Sequence, residues 1–85
     1  MNGLQGPLHF ATVMPYFARA DELAGAATLD LAGVTHCDSA GAALLLELRR
    51  RALSKGNTLR LVNAPQQLRD LTDFFGIADV LDLAA

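Results

Sequence analysis

Cysteine, tryptophan and charged side chains are scarce in this chain of 85 residues. The single cysteine is Cys37, which excludes an internal disulfide and a cysteine-rich zinc site. Charged residues make up 19% of the chain against 52% hydrophobic residues, and this balance excludes a disordered protein. Seven basic residues against nine acidic ones give a net charge of −2. This charge argues against a nucleic-acid-binding protein, because such proteins present a basic face.

Long apolar runs and targeting segments are also missing. The longest apolar run lies within residues 40–46, far short of the ~20 residues that a membrane-spanning helix needs. The first residues show no basic segment followed by an apolar one, so the sequence predicts no signal peptide. We therefore expect a soluble cytoplasmic protein, and the length fits one domain over residues 1–85.

Leucine and alanine dominate what is present, with 16 and 15 residues, whereas valine, isoleucine and threonine together number 10. Helices are therefore expected to dominate, beside a small sheet. In the N-terminal part we predict loose residues 1–6, a short edge strand over residues 7–10 and a helix over residues 15–23. Thr12 is the predicted N-cap of that helix and Gly25 its end.

The remaining chain continues the alternation of strands and helices. Strands are predicted over residues 27–31 and 58–62, with a turn at Gly33 between the first of them and the next helix. Asp38 is the predicted N-cap of a long helix that ends at Ser54, and Pro65 the first residue of another that Gly76 ends. Residues 77–81 are predicted to form a last apolar turn. This order predicts an α/β fold with a mostly parallel sheet and right-handed helical crossovers.

Motifs of catalytic and cofactor-binding sites are not found. The sequence has neither of the glycine-rich nucleotide fingerprints. Residues 37–41 superficially resemble a nucleophile elbow, but Cys37 stands where that motif needs glycine, and no later histidine completes a triad. His9, His36, Cys37 and Asp38 match no standard zinc spacing. We therefore expect no enzyme, no cofactor and no metal site.

The segment Asp38-Ser39-Ala40-Gly41 admits two interpretations. In the first it is structural: Asp38 caps the helix and Gly41 permits close packing. In the second it is functional, since the Ser39 hydroxyl lies at the positive end of the helix dipole, where a phosphate group is favoured although Asp38 opposes it. The small side chains of the first turn would also let the backbone of a partner approach closely. The residues alone favour neither interpretation.

Two stretches together resemble the signature of STAS domains, the sulphate-transporter and anti-sigma-factor-antagonist modules. These are residues 29–34, Leu-Asp-Leu-Ala-Gly-Val, and residues 37–41, Cys-Asp-Ser-Ala-Gly, followed by a leucine-rich helix. The resemblance covers about residues 8–83 and implies a small single-domain STAS fold. The family begins with two strands, so its first strand is expected to be missing here or supplied by another chain. A homodimer that exchanges a strand is therefore a hypothesis.

Within the family, the stretch from Asp38 to Glu47 is most similar to the small cytoplasmic subunits of ABC complexes that transport phospholipids and maintain outer-membrane lipid asymmetry. The resemblance implies a non-catalytic protein, peripheral to the inner membrane, that binds the ATPase subunit and through it the permease. The interaction surface would include Asp38, Ser39, Ala40 and Gly41. The alternative within the family is an anti-sigma factor antagonist, in which an anti-sigma factor kinase phosphorylates Ser39. Ala40 departs from the second hydroxyl residue that is common among those antagonists.

Overall fold

Strands and helices alternate along the chain in the computed structural model, which describes residues 2–77 and residue 81. Their order and bounds are β1 (Asn2–Leu8), α1 (Met14–Ala18), α2 (Ala20–Ala24), β2 (Thr28–Cys37), α3 (Ser39–Ser54), β3 (Arg60–Val62) and α4 (Gln66–Phe74). The α/β class and the predicted order are confirmed. The apolar turn predicted over residues 77–81 falls largely on residues 78–80, which lie outside the described part.

The sheet has three strands in the order β1-β2-β3, and both pairs of neighbours are parallel. β1 runs along most of β2, from the pair Asn2 and Leu29 to the pair Leu8 and Cys37. β3 pairs only with residues 28–30, at the start of β2. The last part of β2 therefore has a strand neighbour on one side only among the described residues.

Leucine is the main residue of the core, beside smaller numbers of alanine and valine. Eleven leucine side chains are essentially fully buried, together with the polar Thr72, whose hydroxyl donates to the carbonyl of Arg69 at 2.9 Å. Burying one leucine contributes about 1.5–3 kcal/mol, which is how so small a chain offsets the entropy of ordering. One face of α3 supplies Gly41, Leu44, Leu45, Leu48 and Ala52 to this core, as the helical spacing predicts.

The opposite side of α3 carries paired charges. Glu47 accepts hydrogen bonds from Arg50 and Arg51, at 2.7 Å and 2.6 Å from its Oε2. Arg51 and Lys55 also approach the carboxylate of Asp21 in α2, at 3.1 Å and 3.7 Å. The bonds from Arg50 and then Arg51 lower the pKa of Glu47 to about 2. These pairs join α2 to the C-terminal half of α3.

The N-terminal residues are the first correction to the sequence-based predictions. Residues 1–6 were expected to be loose, but β1 already includes Asn2, and the strand expected over residues 7–10 ends at Leu8. Leu4 and Leu8 are fully buried, so β1 gains enough apolar contact to order a glycine-containing segment. The outer side of β1 has no strand neighbour among residues 2–77, and a strand-exchanged homodimer stays a prediction.

The first helical region differs from the prediction as well. Thr12 does not cap it: Val13 holds the N-cap position, and the Thr12 hydroxyl donates to the carbonyl of Pro7 at 2.6 Å. The region divides at Arg19 into α1 and α2, and Gly25 ends the second helix as predicted. The hydroxyl of Thr12 is therefore used to close the turn after β1 rather than to begin a helix.

The predicted turn at Gly33 is wrong, because β2 continues through it as one strand of ten residues. A Cβ atom there would lie 2.9 Å from Cγ of Gln5 and 3.2 Å from the carbonyl oxygen of Leu4. Gly33 thus serves close contact with β1, at a register shift of that pair. Nearby predictions are off by a few residues, since β3 begins at Arg60 and Pro65 is the N-cap of α4.

Candidate partner-binding site

The connection from β2 to α3 is shaped by Asp38. Its backbone is extended, with φ −111° and ψ −166°, and its carboxylate accepts hydrogen bonds from the N–H groups of Ala40 at 2.8 Å and Gly41 at 3.4 Å. Desolvation opposes ionisation of Asp38, but the hydrogen bonds from Ala40, Gly41 and Phe10 outweigh it and lower its pKa. Asp38 is therefore an ionised N-cap, as predicted.

Gly41 lies where α3 crosses the ends of β1 and β2. A Cβ atom at this position would lie 2.5 Å from Sγ of Cys37, 2.6 Å from the carbonyl oxygen of Leu8 and 2.9 Å from its Cβ. These separations are well below van der Waals contact, so only glycine fits without displacement. The absence of a side chain at Gly41 thus sets how closely the first turn of α3 approaches the sheet.

Cys37 is buried beneath this turn, and its thiol donates a weak hydrogen bond to the carbonyl of Asp38 at 3.4 Å. Burial and the charge of Asp38 raise the pKa of the thiol to about 11. A thiol in this state is not a nucleophile near neutral pH. Across residues 2–77 and residue 81, no group of three or more histidine, cysteine or acidic side chains is placed to hold a metal ion.

The outward side of the first turns of α3 forms one wall of a shallow groove of about 190 Å³. Its lining residues come from α3 and from the end of α4: Ser39, Ala42, Ala43, Leu46, Phe75 and Ile77. The hydroxyl of Ser39 is the one polar side-chain group among them, and Ser39 itself is exposed. The described residues give the groove a small, apolar contact surface without an acidic or basic side chain.

Exposed aromatic rings accompany this region. Phe74 and Phe75 at the end of α4 are 83% and 46% exposed, and their rings meet edge to face with centroids 5.6 Å apart. Phe10, whose backbone contributes to the lowered pKa of Asp38, is also 83% exposed. Large apolar side chains left in solvent beside a groove are typical of protein interaction surfaces.

Gln67 is a residue of this region that the sequence did not reveal. From the first turn of α4 its side-chain amide binds the backbone of Cys37 twice: Oε1 accepts from the N–H group at 3.0 Å, and Nε2 donates to the carbonyl at 2.9 Å. The two residues are 30 positions apart, and no local pattern in the sequence indicates such a contact.

The four residues singled out in the sequence form one continuous turn with divided roles. Asp38 and Gly41 are committed to the cap and to packing, and Ala40 is half-buried against the core. Only Ser39 among them presents an exposed side chain. The structure thus supports the structural interpretation for three of the residues and leaves Ser39 and the groove beside it as the candidate contact surface.

The helices were also compared with the length and apolar character that a membrane-spanning helix needs. No helix within the described residues is long and apolar enough to cross a membrane.

Comparisons with known proteins agree with this fold. The family model described as the MlaB STAS domain matches residues 4–83 of the chain. The intermembrane phospholipid transport system binding protein MlaB of Haemophilus influenzae is 36% identical over 83 residues, an alignment that covers 89% of this chain and 79% of that protein. The resemblance seen in the sequence is confirmed: the chain belongs to the STAS domain family, in its MlaB branch.

Proposed function

We propose that this protein is the STAS-domain binding subunit of an ABC-type phospholipid transport system and that it binds the ATPase subunit of that system. The similarity to the Haemophilus influenzae protein, which is named as the binding protein of an intermembrane phospholipid transport system, supports the transport role. The partner follows from the resemblance described above. The groove at the start of α3 is the feature of this chain that would make the contact.

The observation that carries the proposal is the character of that groove. It is apolar, shallow and lined on one side by Ser39, Ala42 and Ala43, whose small side chains let another backbone approach closely. None of the described residues that line it is titratable, and the buried thiol of Cys37, in the adjoining turn, is protonated near neutral pH. These features suit a binding surface and supply none of the proton-transfer groups that catalysis uses.

The mechanism we propose is selection among states of the ATPase. Binding through Ser39 and the first half of α3 would stabilise the arrangement of the ATPase that fits the groove best. Turnover changes only if the affinities of the protein for the different states of the ATPase differ. The protein would then be held at the inner membrane through the ATPase and permease, without inserting into the bilayer itself.

The test compares the same substitution at the two ends of α3. Ser39→Asp places a charge in the groove, and we expect its dissociation constant for the purified ATPase to rise at least tenfold, about 1.4 kcal/mol. Ser54→Asp is the control, because Ser54 is exposed in the last turn of α3, beside the cations of Arg50, Arg51 and Lys55. It should bind like the wild type in isothermal titration calorimetry.

The partner itself is identified by affinity capture. The tagged protein is used to capture partners from detergent-solubilised membranes of the native host. We expect an ABC ATPase and its permease to co-purify with it. If Ser39→Asp binds the ATPase as tightly as the wild type does, the proposed surface is wrong. If the wild-type protein binds no ATPase, the proposed function itself fails.

A phosphorylation switch is the second candidate, and the exposure of Ser39 at the first position of α3 is the observation that favours it. A phosphate there gains from the helix dipole but meets the Asp38 carboxylate, which already accepts from two of the free N–H groups. The test incubates the protein with ³²P-labelled ATP and an anti-sigma factor kinase of the host. Labelling of the wild type, and not of Ser39→Ala, would support this role. No transfer would exclude that kinase as the partner.

A further inference from the structure

The side-chain amide of Gln67 makes the two backbone hydrogen bonds at Cys37 that a neighbouring strand would otherwise make. β3 pairs with residues 28–30, so within residues 2–77 no strand lies beside the N–H and C=O groups of Cys37 on that side. Gln67 satisfies both groups, with bonds of 3.0 Å and 2.9 Å. A primary amide has a donor and an acceptor side by side, which matches the two backbone groups of one residue in a parallel strand.

This contact adjoins the turn that begins the candidate binding surface. Cys37 immediately precedes the Asp38 cap, and its Sγ atom is the nearest atom to the missing Cβ of Gly41. A shift of the Cys37 backbone would therefore move the start of α3, and with it Ser39. Such a shift cannot be absorbed locally, because the space between Gly41 and Cys37 is already filled.

The same contact also fixes the other wall of the groove. Gln67 belongs to α4, and Phe75, just after that helix, lines the groove opposite Ala42 and Ala43. One amide thus connects the element that ends in the aromatic wall to the strand that leads into the small-residue wall.

We propose that Gln67 is a positioning residue for partner binding: its two hydrogen bonds hold α4 and the end of β2 at the separation that the groove requires. This inference rests on the proposed function, since the partner is the ATPase. Gln67 acts through Cys37 and the turn after it.

The test uses Gln67→Met, which keeps the length of the side chain and removes both hydrogen bonds. Gln66→Met is the matched control, because the neighbouring Gln66 is also exposed and its amide donates to Asp70 of the same helix at 2.8 Å. We expect the amide hydrogen of Cys37 to exchange at least tenfold faster in Gln67→Met than in the wild type or Gln66→Met, as measured by NMR. We expect Gln67→Met to bind the ATPase about tenfold more weakly, and Gln66→Met to bind like the wild type.

A second control separates positioning from loss of stability. The amide of Asn57 donates to the carbonyls of Ala24 and Ala26, at 2.7 Å and 2.9 Å, beyond the far end of α3. Asn57→Ala therefore also loses two backbone contacts, and it should lower the melting temperature while leaving the affinity for the ATPase unchanged. The contrast in affinity between Gln67→Met and Asn57→Ala is the signature of positioning.

Three outcomes would overturn the inference while the wild type still binds the ATPase. They are unchanged exchange at Cys37 in Gln67→Met, wild-type affinity of that variant, or an equal loss of affinity in Asn57→Ala. If the wild type itself does not bind, the proposed function fails first and the inference falls with it.

Discussion

Replacing Gly41 by alanine tests how tightly α3 is seated on the sheet. In an exposed helix position this change stabilises a protein by about 1 kcal/mol, because glycine has the greater conformational freedom in the unfolded chain. At Gly41 the new methyl group would meet Sγ of Cys37 at 2.5 Å and the carbonyl oxygen of Leu8 at 2.6 Å. The oxygen belongs to the backbone of β1 and cannot rotate away as a flexible side chain can.

Gly41→Ala is therefore expected to destabilise the protein, whereas the same change at an exposed helix position stabilises it. Overpacking of a filled core costs typically about 1–3 kcal/mol, and contacts as short as 2.5 Å and 2.6 Å place Gly41→Ala in the upper part of that range, about 2–3 kcal/mol, against a gain of about 1 kcal/mol in helix propensity. We expect Gly41→Ala to lower the free energy of unfolding by about 1–2 kcal/mol, a large part of the roughly 5–15 kcal/mol that small domains have. For a chain of this length, that corresponds to a fall in melting temperature of about 4–16 °C.

Thermal and urea unfolding followed by circular dichroism measure this effect, and Ala43→Gly calibrates it. Ala43 is exposed two residues further along the same helix, so this reverse exchange reports the propensity difference alone, a loss of about 1 kcal/mol. Cys37→Ala in the Gly41→Ala background should restore part of the stability, because it removes the nearest of the clashing atoms. A Gly41→Ala variant more stable than the wild type would refute the close approach of α3 to β1.

Two further predictions concern titrating groups. Because Arg50 and Arg51 lower the pKa of Glu47 from 4.5 to about 2, its contribution to stability is complete above pH 4.5 and is lost as the pH falls towards 2. Between pH 5 and 2 the urea midpoint of the wild type should therefore fall more steeply than that of Glu47→Gln, and parallel curves would contradict the pairing. Because the pKa of the Cys37 thiol is raised to about 11 in a buried position, Ellman's reagent should react with the native protein at pH 8 only very slowly and with the protein in guanidinium at once. Rapid reaction of the native protein would show that the thiol is accessible.

The sequence predicted α3 best, because every signal for it is local. The Asp38 cap, the spacing of the buried leucines and Gly56 beyond the end all act within a few turns of one helix, and the observed helix Ser39–Ser54 matches the prediction. Gly56 adopts a positive φ of 72°, as a residue that follows a helix end often does.

The strands were predicted less well, because their extent depends on neighbours far away in the sequence. β1 contains two glycines and one proline and shows little strand propensity, yet it pairs with β2 almost along its whole length. Gly33 indicated a turn when considered locally, whereas in the sheet it is the position at which β1 comes too close for a side chain. Buried parallel strands are usually marked by a continuous hydrophobic run, and β1 has no such run.

The candidate site was predicted in part for the same reason. The turn from Asp38 to Gly41 is local and was singled out directly. Its second wall comes from Phe75 and Ile77, and its support comes from Gln67, some 30 positions after Cys37. Neither contribution has a pattern that the sequence alone displays.

The division of roles within the turn decides which substitution can test function cleanly. At Gly41 a larger side chain would alter the seating of α3 and the groove together, so a loss of binding there could not be separated from a loss of structure. Ser39 is exposed at the first position of α3, where an acidic residue is favoured by about 0.3–1 kcal/mol because of the helix dipole. The dipole offsets the repulsion between the new carboxylate and that of Asp38, so Ser39→Asp is expected to keep the fold about as stable as the wild type while it places a charge in the apolar groove. A variant with full stability and reduced affinity for the ATPase can be explained only by the contact surface.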